Sequence, residues 1–152
     1  MTLVLALLIG LLAGLRSLTA PAVTALAVHL GWLRVHPSLA WIGSTPAVVI
    51  LVLLALLELV ADKLPSTPSR TAPPGLIARI VMGGLAGACV GSASDAGGTG
   101  ALLGIVGGLA GCYGGYRLRT GLVSSLGAPD FAIAVLEDLV AILGSLWVVT
   151  RS

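Results

Sequence analysis

LELVADKLP, residues 57–65, closes a run of valines and leucines with two carboxylates and a lysine before any loop residue appears. Glu58 and Asp62 stand four apart, so on a helix both side chains leave the same face. The apolar run in front of them, from about Pro46 to Leu64, reads as a membrane span. An ionised acid at the centre of such a helix costs roughly 2.5 to 3.5 kcal/mol on insertion scales, so an acidic pair there needs partners and marks a candidate functional site. Read this way, the stretch decides the fold class: an all-α, polytopic transmembrane helix bundle.

The composition agrees. The 152 residues form a single integral membrane domain by length, and they are 57% hydrophobic and 9% charged, against about 25% charged in a soluble average. The 21 glycines lie inside apolar runs and read as helix-packing surfaces rather than disorder. A formal charge of +2 with no basic patch interleaved with aromatics excludes nucleic acid as a partner. Cys89 and Cys112 sit in glycine-rich apolar runs and read as small free thiols rather than a disulfide. No Lys or Arg precedes the apolar run Leu3–Leu12, and Arg16 falls where a signal peptidase needs small neutral residues, so this segment is read as mature structure.

A straight helix over residues 2–33 would be nearly 50 Å long, against a hydrocarbon core of about 30 Å. Arg16 to Pro21, RSLTAP, supplies the break with a charge, two hydroxyls and a proline. Two half-helices are expected, Leu3–Leu15 and Ala20–Leu33, as either a re-entrant hairpin or one kinked span. A short link, Arg34–Ser38, leads to the Pro46–Leu64 span, with Trp32 and Trp41 placed as interfacial anchors. Pro65–Gly75, PSTPSRTAPPG, is a proline-stiffened connector. Further spans are expected over about Leu76–Val90, Thr99–Tyr116 and Phe131–Val149, making about five with the first one broken.

Gly100, Gly104, Gly108, Gly111 and Gly115 share one helix face, and Gly83, Gly87 and Gly91 another. Such faces bring backbones close in membranes, within the chain or across a homo-oligomer seam. IGLLAG (residues 9–14), MGGLAG (82–87) and VGGLAG (106–111) echo one another, as do LLELVADKL (56–64) and VLEDLVAIL (135–143). A glycine-arginine helix followed by an acidic helix thus occurs twice. Either a small unit was duplicated or small-residue motifs recur by composition.

If the spans cross as drawn, Lys63, Arg70, Arg79, Arg117 and Arg119 lie on one side and Arg34 and Arg151 on the other. The positive-inside tendency makes the first side cytoplasmic, in a plasma (inner) membrane. A hairpin would add Arg16 to it. Asp130, Glu137 and Asp138 enter the last span from that side and Glu58 and Asp62 leave the second span toward it, with Asp95 alone opposite. The candidate substrate or ion site is therefore Arg16, Glu58, Asp62, Lys63, Arg117, Arg119, Asp130, Glu137 and Asp138. It is either a site in a hydrated cavity or a buried ion-pair network that only holds helices in register.

GLRSLTAP (14–21), ELVADKLPSTPS (58–69), RIVMGGLAGA (79–88) and PDFAIAVLEDLVA (129–141) together resemble the small membrane proteins grouped as domain-of-unknown-function family 4126. The resemblance covers most of the chain, and E-x-x-x-D-K-x-P is its most specific element. It implies a compact polytopic helical membrane protein and no activity. Arg16, Glu58, Asp62, Lys63, Glu137 and Asp138 are the positions matching its pattern.

The residues point to a small transporter or channel-like protein, proton or cation coupled, with the acids titrating or ligating and Arg16 as counter-charge. The rival is a membrane scaffold or assembly protein whose cluster is structural. An enzyme ranks third, since no nucleophile-base pair or metal motif is visible and His29 and His36 lie toward the side away from the acids. No cofactor is implied, the identity of any metal is open, and the lipid bilayer is the partner.

Overall fold

The computed structural model describes residues 1–64, 66, 69 and 71–152. Among them the chain is all helix: α1 (Thr2–Leu15), α2 (Thr19–His29), a 3-10 turn (Pro37–Gly43), α3 (Thr45–Ala61), α4 (Pro73–Ser92), α5 (Gly97–Leu126) and α6 (Asp130–Val149). Pro65, Thr67, Pro68 and Arg70, which belong to the proline-stiffened connector, lie outside the described residues.

The first apolar segment is broken where the charge and hydroxyls stand. Arg16 leaves helical geometry with extended backbone, φ −135° and ψ 111°, and α2 restarts at Thr19 with Pro21 in its first turn, where a missing N–H is harmless. The second half-helix stops at His29, four residues before the expected Leu33. Gly31 turns left-handed at φ 74°, and the N–H groups of Trp32 and Leu33 fold back onto the Ala27 carbonyl, an end a glycine favours. In the other direction, α5 runs ten residues past the expected Tyr116 to Leu126, until Gly127 at φ 59° caps it. No proline intervenes before Pro129, so polar residues alone do not end the helix. The 3-10 turn was not expected from the sequence; it meets α3 at a bend of 59°.

Among the described residues two helices, α4 and α6, are long and apolar enough to cross a membrane, or three if the 3-10 turn and α3 count as one bent span. α1 and α2, at 14 and 11 residues, are each shorter than the roughly 20 residues a crossing needs. Large apolar side chains stand exposed on the outer faces, among them Leu53, Leu57, Val81, Leu102, Leu136 and Leu143. A soluble monomer rarely exposes such a continuous apolar surface, which marks a membrane protein.

Packing gives the helix directions. A Cβ on Gly14 would stand 2.7 Å from the Gly111 Cα, and one on Gly10 would strike Gly104, so α1 runs parallel to α5. A Cβ on Gly87 would stand 2.8 Å from the Gly104 Cα, and one on Gly100 2.8 Å from the Gly91 Cα, so α4 and α5 are antiparallel. Within the chain these glycine faces bring α1, α4 and α5 together. α2 begins beside Glu58 near the end of α3 and finishes with His29 Nδ1 2.8 Å from the Gly43 carbonyl, just before α3. It therefore climbs back antiparallel to α3. α1 and α2 form a helical hairpin with its tip at Arg16–Leu18 and both outer ends at the Asp95 end of the bundle.

The directions also bear on the internal echo. α1 and α3 both run toward the hairpin tip, whereas α5 runs toward it and α6 away, with Asp138 beside Arg16 and Gly144 beside Leu12. The two glycine-arginine and acidic pairs thus have different relative directions, and no single rotation relates them. The repeat is one of sequence pattern only.

A charged layer at the tip of a re-entrant hairpin

Helix ends explain the site. The last carbonyls of α1 and the first N–H groups of α2 have no partners within their helices, and the two ends carry opposite partial charge. Both ends are met by side chains of other helices. Arg79 on α4, buried, donates from Nε to the Gly14 carbonyl at 3.0 Å and from Nη1 to the Gly75 carbonyl at 3.0 Å. Glu58 on α3 accepts from the Ser17 N–H at 2.8 Å and the Leu18 N–H at 2.9 Å, and from the Ser17 hydroxyl. A cation thus closes the negative end of α1 and an anion the positive end of α2.

Between them lies Arg16, fully buried. Its Nη1 donates to Asp62 Oδ2 on α3, and its Nη2 forms an ion pair with Asp138 Oδ1 on α6. The second contact is close but not aligned as a hydrogen bond, and Arg16 Nε has no partner. Asp138 is shared: its Oδ2 lies 2.6 Å from Lys63 Nζ, which also donates to the Leu59 carbonyl at 2.8 Å. The hairpin tip is tied in this way to α3, α4 and α6. Burying these charges is tolerable only because each meets opposite charge or backbone dipoles.

A second group flanks the first. Arg119 grips Asp130 through two bonds, Nε at 2.8 Å and Nη2 at 2.6 Å, and its Nη1 lies 3.6 Å from Glu137 Oε2. Of the residues expected to share the site, Arg117 does not join. It is exposed on the outer side of α5, because two residues of helix turn it about 200° away from Arg119. Arg70 lies outside the described residues. The other eight fall into the Arg16, Glu58, Asp62, Lys63 and Asp138 group and the Arg119, Asp130 and Glu137 group.

A cavity of about 850 Å³ reaches this layer, lined among others by Ser17, Glu58, Asp62, Arg79, Arg119 and Asp130. Arg16 and Asp138 are not among the lining residues. Two participants were missed in reading the sequence. Ser17 follows Arg16 in the break, and Arg79 stands one turn before Gly83 on the face of Gly83, Gly87 and Gly91; either signal was available. His29 and His36 bond near Gly43 and Ser38 at the far end. Among the described residues no group of three His, Cys, Asp or Glu side chains could hold a metal ion. Cys89 and Cys112 are both buried and form no disulfide.

The sequence pattern described as Domain of unknown function (DUF4126) matches residues 3–151. No curated protein and no solved structure matches the chain.

Proposed function

The chain belongs to the DUF4126 family, and we propose that it is a small transporter or channel-like protein whose gate is the Arg16 ion-pair cluster, coupled to a proton or a small cation. The observation that carries this reading is the position of the hairpin tip. Two short half-helices, held end-on by Glu58 and Arg79, bring a fully buried arginine against Asp62, which lines the cavity. Irregular backbone at membrane depth is tolerated where it lines a cavity, and paired ionisable groups there belong to ion or substrate pathways in many membrane proteins. In this reading α3 to α6 cross a plasma membrane, the hairpin dips from the outer side, and the cluster faces the cytoplasm. A proton or cation reaching Asp62 from the cavity competes with Arg16 for the carboxylate and frees the tip.

The test is flux into liposomes followed with a pH-sensitive dye and with cation-selective dyes. Flux by the wild-type protein that Asp62→Asn abolishes or uncouples from pH, with the variant still monodisperse in detergent, supports the reading. Absence of flux for protons and for every cation gradient tried overturns it.

A second reading is favoured by one observation: Glu58, Asp62 and Asp138 each have a partner already. A scaffold or assembly protein needs no more than this. It predicts that Asp62→Asn changes the melting temperature and no flux.

A further inference from the structure

Among the described residues the buried hydroxyls differ in what they bond. That of Thr24 donates to the Ala20 carbonyl four residues back on its own helix, the usual way a helical hydroxyl is satisfied in an apolar setting, and that of Ser17 donates to Glu58. Thr19 Oγ1 on α2 and Ser145 Oγ on α6 are buried and have no partner. Ser145 is in mid-helix, with the Ala141 carbonyl in reach, and leaves it unused. α2 and α6 pack against each other.

The positions form a series. Asp138, Ala141 and Ser145 share one face of α6, all three buried, and at about 1.5 Å per residue Ser145 lies about 10 Å beyond Asp138. α2 leaves Arg16 in the same direction, so Thr19 falls between these levels. Arg16 Nε, at the base of the series, also has no hydrogen-bond partner in the protein. Buried polar atoms are as a rule bonded to protein or water, and orphans aligned on two facing helices are the mark of a hydrated seam.

We infer that the seam between α2 and α6 is a narrow, water-lined path that continues the cavity past Arg16 toward the opposite end of the bundle, with Thr19 and Ser145 as its polar wall. This deepens the proposed transport function and rests on it only for what the path carries. Water in the seam bonds Arg16 Nε at the base, then the Thr19 and Ser145 hydroxyls. Arg16 separates it from the cavity while Asp62 and Asp138 hold the arginine, so a reagent enters the seam from the opposite end of the bundle.

Substituted-cysteine labelling in membranes tests the path without requiring flux. Thr19→Cys and Ser145→Cys, single near-isosteric changes, are treated with the small cationic reagent trimethylammonioethyl methanethiosulfonate, and the label is located by mass spectrometry. Ser124→Cys, on the cavity wall, shows that the reagent arrives, and native Cys89, buried, gives the rate for a dry position. Labelling at both Thr19→Cys and Ser145→Cys, with Cys89 unlabelled, is expected. Anything short of labelling at both, while Ser124→Cys reacts, overturns the inference. Labelling at both with no flux would retain the seam and defeat the transport reading; flux without labelling would do the reverse.

Discussion

Ser17 presents its backbone N–H and its hydroxyl to the same oxygen of Glu58, while the other oxygen takes the Leu18 N–H. One carboxylate from α3 thereby does for α2 what an N-cap residue ordinarily does from within the chain. Glu58→Gln keeps the shape but turns one acceptor into a donor, so in either amide orientation two donors face each other. A loss of about 1–3 kcal/mol is expected, seen as a lower thermal midpoint in detergent. An unchanged midpoint would mean that the cap contributes nothing.

Arg16 is held by two acids, so its removal leaves buried charge behind. Arg16→Met should cost about 3–5 kcal/mol, because breaking a buried pair strands its partners. Adding Asp62→Asn should recover part of the loss, with Asp138 still served by Lys63. Thermal midpoints and size-exclusion profiles of the two variants decide this. Additive losses in the double variant would show that the residues are not coupled.

The glycines divide by what surrounds them. A Cβ on Gly104 would stand 3.0 Å from the Gly87 Cα and closer still to the Gly83 carbonyl. Gly104→Ala must therefore push α4 away from α5 and should cost about 1–3 kcal/mol. Gly121, in the same helix, has nothing within 4 Å of a built Cβ, and Gly121→Ala should stabilise by about 0.5–1 kcal/mol through helix preference alone. Equal effects at the two sites would contradict the close approach of α4 and α5.

Two arginines two residues apart should behave differently. Arg119→Ala removes a two-bonded pair with Asp130 that is partly open to solvent, and should cost on the order of 1 kcal/mol. Arg117→Ala, exposed, should fall within about 0.5 kcal/mol of wild type. Chemical denaturation of both variants in the same detergent supplies the comparison.

The elements of the fold that were legible in the sequence are those written as local chemistry. RSLTAP announced the break in the first segment, and the i, i+4 spacing of Glu58 and Asp62 put both carboxylates toward the hairpin tip. Helix ends set by left-handed glycines, at Gly31 and Gly127, were not foreseen, because a glycine in a glycine-rich chain carries no mark of its backbone angle. Arg117 was placed in the cluster by depth alone, and depth does not tell which way round a helix a side chain points. Arg79 was counted as a loop charge, although its spacing from Gly83 put it on the packed face. The choice between hairpin and kinked span depended on which helices the two halves pack against, a long-range matter.

The cluster also sets an order of assembly. Arg16 emerges from the ribosome long before Asp62, and Asp138 only when the last helix is made. Until then the early hairpin carries an arginine without its second counter-ion, which opposes deep insertion. Its full depth thus waits on α6, so a chain truncated before Asp138 should leave the hairpin shallow and open to quality-control proteases. The ion pairs that close the cluster would then also mark the arrival of α6.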